Sequence, residues 1–257
     1  MDRLFILHEI MTRVQGSLYS APIDKDRTKR ILDIGTGTGV WATSIADQFP
    51  NATVNSFFEL PTLTCRQSTL FPPPNVRFEV DDVEDSWVHP KEFSWIFCRY
   101  MAASILDWPN LVTNIYENLE PGGWCEFQDF DLQYYSDDGS LKQDDALLVW
   151  ISTLLDAARA LGREPNPGSK LEGWVQKAGF VNVVHKRYKI PIGPWARDPL
   201  LKEIGSYNFM QVDNGLEGLS MRLFTSVLRW EEDEIRALLA RVRADLRNPR
   251  IHAMFDL

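Results

Sequence analysis

The chain has 257 residues, of which 44% are hydrophobic and 25% charged, and its formal net charge is −9. This composition is typical of a folded globular chain, and the length suits one large domain or two small ones. The acidic balance argues against nucleic acid as the main partner, because phosphate contacts need a basic face. The longest apolar stretches, such as "ALLVWI" from Ala146, are too short to span a bilayer, and "MDRLFILHEI" does not read as a secretory signal.

The three cysteines, Cys65, Cys98 and Cys125, are odd in number and lack the spacing of metal ligands. Reduced thiols of this kind are typical of a reducing compartment. We therefore expect no metal, no membrane association and a cytoplasmic location, with the nucleus as the alternative.

Helical and extended patterns alternate from the N-terminus onward. A short amphipathic helix is predicted from Met1 to Val14, followed by a loop, a strand at Arg30 to Gly35 and a helix that ends near Phe49. Three more strands are predicted at "ATVNSFF", "NVRFEV" and "FSWIFCRY", which are apolar runs between proline and polar residues. A helix from Asn110 to Leu119 then stops at the proline–glycine turn "EPGGW".

The rest of the chain adds two strands and longer helices. "WCEFQDF" is predicted as strand five, a helix covers Asp144 to Leu161, and "KLEGWVQKAGF" forms another helix that ends at Gly179. "VNVVHKRYKI" is predicted as strand six, and the last helix runs from about Glu231 to Leu246. Strands that alternate with helices predict an α/β fold with a parallel sheet covered on both faces.

The stretch "KRILDIGTGTGVWATSIADQFP" carries the clearest functional signal. It joins a buried strand to a helix through a glycine-rich turn, and such a turn is a ready site for the polar end of a nucleotide. "GTGVWA", Gly37 to Ala42, satisfies the loose dinucleotide pattern, with Glu59 near the distance expected for a ribose acid. This match alone is weak.

Asp33 argues against a dinucleotide because its carboxylate lies two residues before Gly35, where it would repel a pyrophosphate. S-adenosylmethionine has the opposite requirement, since its methionyl end carries an ammonium group and its reactive centre is a sulfonium. The glycines would let the backbone approach the amino-acid moiety closely. The acid therefore favours the methyl donor.

Two acidic positions further along agree with this choice. "EVDDVEDSW" places Asp81 and Asp82 at the end of strand three, where a carboxylate can accept from the adenine amino group and Val83 can flank the ring. Strand two ends near Glu59, which can hold both ribose hydroxyls. Each of these acidic motifs alone is more often a solvated surface feature. Their occurrence in this order along the chain is what supports the methyl donor.

With these motifs in place, the sequence resembles the class I methyltransferases of the fungal LaeA-like type, found around secondary metabolism. The resemblance rests on "LDIGTGTGVWA", "VRFEVDDVEDSW", "DWPNL", "YENLEPGGWCEFQDFD", "SDDG" and "GLEGLSMRLFT", and covers about Arg3 to His252. It implies a Rossmann-like, seven-stranded, three-layer sheet with an antiparallel hairpin at one edge, and S-adenosylmethionine as cofactor. Carried over by position, it implies methionyl-side contacts from Asp33, Gly35, Gly37 and Gly39, adenine contacts from Asp82 and Val83, and a place beneath the cofactor for Arg99. Thr36, in the same turn, is also expected to bind the cofactor.

A single methyltransferase domain over residues 1–257 follows from the resemblance. It comprises an N-terminal helix and lead-in (1–29), a cofactor-binding core (30–135), and capping helices with the C-terminal strand and helix (136–257). The connection "LPTLTCRQSTLFPPP" between strands two and three is long, so it is predicted to be either a functional flap or an irregular insertion.

The chain departs from the family pattern in three places. Relatives carry an aspartate where Phe58 stands, and a one-residue shift would point Glu59 away from the ribose unless a bulge intervenes. The apolar strand seven that follows "RIHAMF" in relatives is expected to be missing after Leu257, which would leave strand six with an exposed edge that favours a protein partner or a homodimer. The N-terminal lid is expected to be short and to leave the donor open to water.

No catalytic residue is assigned. Candidates at the mouth of strands four and five are Tyr100, Gln128, Asp129 and Asp131, while the histidines, His8 among them, are more often structural. "DFDLQYYSDDG", with Tyr134 and Tyr135, either lines an acceptor pocket or forms an exposed loop.

The sequence therefore predicts an S-adenosylmethionine-dependent methyltransferase that acts on a small-molecule, natural-product acceptor at oxygen, nitrogen or sulfur. The alternative is a catalytically impaired, methyltransferase-like regulatory or scaffold protein. A dehydrogenase is a distant third because of Asp33.

Overall fold

The computed structural model describes residues 3–58, 72–85, 87 and 92–257. The first half contains α1 (Arg3–Gln15), β1 (Arg30–Ile34), α2 (Val40–Gln48), β2 (Thr53–Phe58), β3 (Val76–Val80), β4 (Phe93–Arg99), α3 (Trp108–Asn118) and β5 (Leu119–Gln128). The second half contains β6 (Asp131–Tyr135), α4 (Ala146–Ala160), α5 (Gly168–Ala178), β7 (Lys189–Pro191), α6 (Pro199–Ser226), α7 (Glu232–Leu246) and β8 (Met254–Asp256). Glu59, Cys65, His89 and most of the predicted flap lie outside the described residues.

The central sheet has five parallel strands in the order β3-β2-β1-β4-β5. Three residues of β1, Ile31, Leu32 and Ile34, are completely buried, as the apolar run predicted. Since all five strands are parallel, their carboxyl ends share one edge, and the turn after β1 lies at that edge beside the ends of β2 and β4. The predicted α/β, Rossmann-like class is confirmed.

The turn predicted at "EPGGW" interrupts the pairing of β5 with β4. Phe93 pairs with Leu119 but Trp95 pairs with Trp124, so the four residues between Leu119 and Trp124 bulge out of the ladder. Gly122 lies in this bulge with a φ of +84°.

A separate three-stranded antiparallel sheet has the order β6-β8-β7, whereas seven strands in one sheet were expected. The predicted strand six is largely wrong, because only its end forms β7, and Val181 and Val184 are 79% and 76% exposed. The expectation that this strand lacks an antiparallel neighbour is also wrong. β8 pairs with β7, and reciprocal backbone bonds of 2.9 Å between Tyr188 and Leu257 extend the ladder.

The cap comprises α1, α4, α6, α7 and the three-stranded sheet, which share one apolar core. α1 packs along α6, and the core includes Tyr134 and Phe255 from the small sheet. Two further clusters cover the two faces of the parallel sheet. Four tryptophans in these three cores are at most 1% exposed: Trp41, Trp95, Trp108 and Trp150.

No helix in the described ranges is both apolar enough and long enough to cross a membrane. In the same part of the chain, no three His, Cys, Asp or Glu side chains are grouped so that they could hold a metal ion.

Candidate active site

The turn between β1 and α2 is closely packed against the end of β4. Gly35, Gly37 and Gly39 have φ values of +80°, +53° and +76°, which favour glycine. A Cβ on Gly35 would lie 2.5 Å from the sulfur of Met101 and 2.9 Å from the carbonyl oxygen of Arg99. Glycine is therefore required at position 35 for both its conformation and its lack of a side chain.

Asp33 lies beneath this turn and is only 2% exposed. It is in register with Ser56 of β2, whose hydroxyl donates to the Asp33 carboxylate at 2.8 Å. Burial raises the pKa of Asp33, while the Ser56 hydrogen bond and the nearby charge of Arg99 oppose that rise. A buried acid of this kind suits a cationic ligand group.

Arg99, the last residue of β4, supplies the opposite charge. Burial lowers its pKa to about 10, and the carboxylate of Asp33 opposes this shift. Its Nη2 lies 3.1 Å from Nδ1 of His8 on α1. Arg99 lines the crevice and Asp33 is buried beneath the turn, so the site holds one cation and one acid, which match the carboxylate and ammonium of an amino-acid moiety.

α1 covers the crevice. The space left between the helix and the glycine turn is a cavity of about 30 Å³, lined on the helix side by Leu4, Leu7, His8 and Met11. Small-molecule pockets are about 300–1,000 Å³, so this space is much smaller than a typical small-molecule site. The expectation of an open lid is wrong, because the apolar side chains of α1 pack over the turn.

The adenosine-side predictions remain predictions. Asp82 is exposed, and its Oδ1 accepts the backbone N–H of Glu84 at 2.9 Å, which shapes the turn after β3. Val83 is 3% exposed and belongs to the apolar cluster on one face of the sheet. β2 pairs regularly with β3 as far as Phe58, so a bulge that would reorient Glu59 does not occur within β2.

Two of the catalytic candidates are engaged in structural hydrogen bonds. The Asp129 carboxylate accepts hydrogen bonds from the backbone N–H groups of Met101 (2.7 Å), Ala102 (3.3 Å) and Phe130 (2.8 Å). Burial raises the pKa of Asp129 to about 7, although these hydrogen bonds oppose the rise. Gln128 donates to Gln15 of α1 at 3.0 Å. Both residues brace the loops at the crevice.

The other two candidates line the two cavities. Tyr100 lines the crevice with a φ of +57°, and Nη1 of Arg3 donates to its hydroxyl at 2.7 Å. Asp131 lines a second, larger cavity of about 730 Å³. Asp131 follows Phe130 in the chain, and the ring centroid of Phe130 lies 5.3 Å from that of Tyr100.

The larger cavity lies against the three-stranded sheet and the loop that follows β6. Residues of the "DFDLQYYSDDG" segment that line it include Asp131, Gln133, Tyr134, Tyr135, Ser136 and Gly139. Asp256 accepts the Tyr135 hydroxyl at 2.7 Å and lies 3.1 Å from Nε of Arg187. The segment lines this cavity and its residues 137–139 are exposed, so its role as an acceptor pocket stays a prediction.

His8 lines the crevice, although the sequence did not single it out as a site residue. It is 6% exposed and lies beside Arg99, which agrees with the expectation that it is structural. Its partner is 91 residues away in the chain, so the sequence carried no local signal for the pair. By contrast, His185 lies at the surface, where it pairs with Glu172 at 3.1 Å.

A parallel sheet in this order, with a buried acid and a glycine turn at the end of its central strand, is typical of a Rossmann-like methyltransferase. A profile of the methyltransferase-domain family matches residues 8–185. The chain belongs to this family, and S-adenosylmethionine is its methyl donor. The prediction of a methyltransferase related to the LaeA-like group is confirmed.

Relatives agree with this assignment. The chain is 42% identical to methyltransferase pytC of Aspergillus terreus over 99% of its own length and 78% of the relative. It is 33% identical to the secondary metabolism regulator LAE1 of Cochliobolus heterostrophus, over 98% of the chain and 83% of the relative.

Among solved structures, phosphoethanolamine N-methyltransferase 2 of Haemonchus contortus, in complex with S-adenosyl-L-methionine, is 17% identical with a TM-score of 0.52. The alignment covers 99% of this chain and 50% of that structure. YcgJ of Bacillus subtilis is also 17% identical, with a TM-score of 0.50 and coverage of 97% and 94%. At these identities the structures support the fold alone.

Proposed function

We propose that the protein methylates a small-molecule natural product, with the donor bound at the glycine turn. The buried Asp33 beside Arg99 is the single observation that carries the proposal, because this pair matches the zwitterionic end of the donor. The residues proposed to bind the donor are Asp33, Gly35, Thr36, Gly37, Gly39, Glu59, Asp82, Val83 and Arg99.

When bound, S-adenosylmethionine supplies an electrophilic methyl group to the acceptor nucleophile. The chain's own part is to bind, orient and exclude water. Asp33 attracts the ammonium, and the bare backbone at Gly35 allows close approach. α1 shields the site from solvent, which strengthens every charge interaction inside it.

The acceptor is proposed to bind in the larger cavity. Its volume of about 730 Å³ lies in the range of small-molecule sites. Its lining combines Tyr134 and Tyr135 with the charged residues Asp131 and Arg187, which suits an aromatic molecule that carries polar groups. The neighbouring Tyr100 belongs to the wall of the donor crevice.

Calorimetry tests the donor site directly. The purified protein is expected to bind S-adenosylmethionine and S-adenosylhomocysteine with micromolar affinity and to bind NAD at least a hundredfold more weakly. Asp33→Asn, which keeps the shape and removes the charge, should weaken both sulfur ligands at least tenfold. Preferential binding of NAD, or no heat from either sulfur ligand with a folded sample, would overturn the proposal.

Transfer is tested with a labelled methyl group. The protein is incubated with methyl-labelled S-adenosylmethionine and a small-molecule extract of a fungus, and labelled products are sought by mass spectrometry. Asp33→Asn serves as the impaired control. Label that appears only in protein would count against a small-molecule acceptor.

A regulatory role is the second candidate. The chain is 31–33% identical over 98% of its length to proteins named secondary metabolism regulators, from Cochliobolus heterostrophus and Aspergillus flavus. The narrow crevice beneath α1 also fits a protein with impaired donor binding. A folded sample that binds no donor would favour this role, as would label transfer to protein alone.

A further inference from the structure

α1 does more than cover the crevice, because it places a hydrogen-bond acceptor beside the base on the crevice floor. We propose that His8 is a positioning residue that orients the Arg99 guanidinium toward the carboxylate of the donor's amino-acid end. This inference rests on the proposed donor site. It assigns a role to a residue outside the glycine turn and makes α1 part of that site.

The geometry fixes the direction of the hydrogen bond between the two side chains. A guanidinium has only N–H donors, so Nδ1 of His8, 3.1 Å from Nη2 of Arg99, must be the acceptor. The imidazole is therefore neutral with its proton on Nε2. Burial and the charge of Arg99 both lower the pKa of His8, to about 4, in agreement with this state.

The planar shape of the guanidinium explains why the Arg99 side chain must be oriented. The guanidinium is a rigid fork that binds a carboxylate best with two parallel N–H groups, so the plane of the fork must be set. The bond to His8 engages one N–H from the side of α1. The Phe97 ring, 5.9 Å from the guanidinium carbon, flanks it on the side of β4.

The same contact couples the helix to the donor. Within the described part of the chain, side-chain hydrogen bonds join α1 to residues at the carboxyl ends of the strands from Arg3 to Tyr100, His8 to Arg99 and Gln15 to Gln128. Of these three hydrogen bonds, the one from Arg99 to His8 involves a residue proposed to touch the donor. Loss of that acceptor should therefore affect recognition of the amino-acid end and leave the adenosine end unaffected.

Two ligands separate these ends. S-adenosylhomocysteine carries the adenosine, the sulfur and the amino-acid moiety, whereas 5′-methylthioadenosine carries only the first two. Calorimetry on His8→Leu is expected to show at least a tenfold loss of affinity for S-adenosylhomocysteine and less than a twofold change for 5′-methylthioadenosine. His8→Asn, whose amide oxygen can accept from Arg99, should stay within threefold of the wild type for both.

Arg99→Gln gives an independent variant if His8→Leu does not fold. It should show the same selective loss, and in the double variant the two losses should not multiply, because both remove one interaction. An equal loss for both ligands, or no loss for either, would overturn the inference and leave the donor site intact. A wild type that binds neither ligand would instead refute the proposed function.

Discussion

The carboxylate of Asp33 accepts a hydrogen bond from Ser56 across the pair β1–β2, at 2.8 Å and in full burial. This bond opposes the rise in the pKa of Asp33 that burial causes, so it helps to keep the acid charged. The register between the two central strands thus supports the electrostatics of the donor site.

Ser56→Ala tests this support. It leaves a buried carboxylate oxygen without its partner, which should lower the free energy of unfolding by about 1–3 kcal/mol in urea denaturation. Donor affinity should fall as well, because Asp33 binds a proton more readily. Ser94→Ala is the matched control, since its buried hydroxyl accepts from Lys29 near the start of β4. Equal loss of donor affinity in both variants would contradict the role of Ser56.

Gly35→Ala tests the packing of the turn. The new Cβ would collide with Met101 and with the Arg99 carbonyl in a conformation that disfavours side chains, at a cost of roughly 2–4 kcal/mol. Gly139→Ala also has a positive φ, +67°, but its Cβ would have no neighbour within 4 Å, so about 1–2 kcal/mol is expected. Thermal or urea unfolding compares the two, and equal losses would show that the close approach at Gly35 is unimportant.

The sequence was sufficient for the parallel core and for the glycine turn. β1 and its turn are encoded locally, since the apolar run of residues 31–34 and the glycines carry their own conformational preferences. The strand predicted over Val181 to Ile190 failed for the opposite reason. A strand needs a partner, and β7 finds its partner in β8, more than 60 residues later in the chain.

The site residues also divide into those that local sequence predicts and those that depend on long-range packing. Asp33 and Gly35 were predictable, because strand, acid and glycine follow one another within a few residues. The pairing of His8 with Arg99 depends on how α1 docks over the sheet, and nothing in either segment specifies that docking. The same holds for the larger cavity, whose walls come from β6, β7, β8 and the start of α4.

Asp82→Ala is expected to weaken donor binding at least tenfold, about 1.4 kcal/mol, through loss of the contact to adenine. Asp81→Ala removes the neighbouring exposed acid and should leave affinity within threefold. Asp82→Asn separates the two roles of the side chain, since it keeps an oxygen for the N–H of Glu84. Calorimetry with S-adenosylhomocysteine measures all three, and an unchanged affinity in Asp82→Ala would mean that the adenine assignment is wrong.

Gln133→Trp is designed to fill the larger cavity from an exposed position on its wall. Transfer of labelled methyl groups to small molecules should fall at least tenfold, while affinity for S-adenosylhomocysteine stays within twofold. Gln176→Trp, on the exposed surface of α5, controls for the added indole. Full transfer activity in Gln133→Trp would place the acceptor outside this cavity.

The neutral state of His8 predicts an acid-sensitive fold. The pKa of His8 is lowered from 6.5 to about 4 by burial and by the charge of Arg99, so at intermediate pH the unfolded chain binds a proton that the folded chain excludes. As far as His8 is concerned, the free energy of unfolding is therefore highest above pH 6.5. It falls by roughly 2–3 kcal/mol as the pH falls toward 4.

Urea denaturation between pH 7 and pH 4 measures this loss. In His8→Asn, position 8 no longer titrates, so its stability should fall less steeply over that range than that of the wild type. His185→Asn, which alters a surface histidine, should follow the wild-type curve. Parallel curves for the wild type and His8→Asn would show that His8 takes up its proton in the folded state. That result would contradict the assignment of His8 as a neutral acceptor of the Arg99 hydrogen bond.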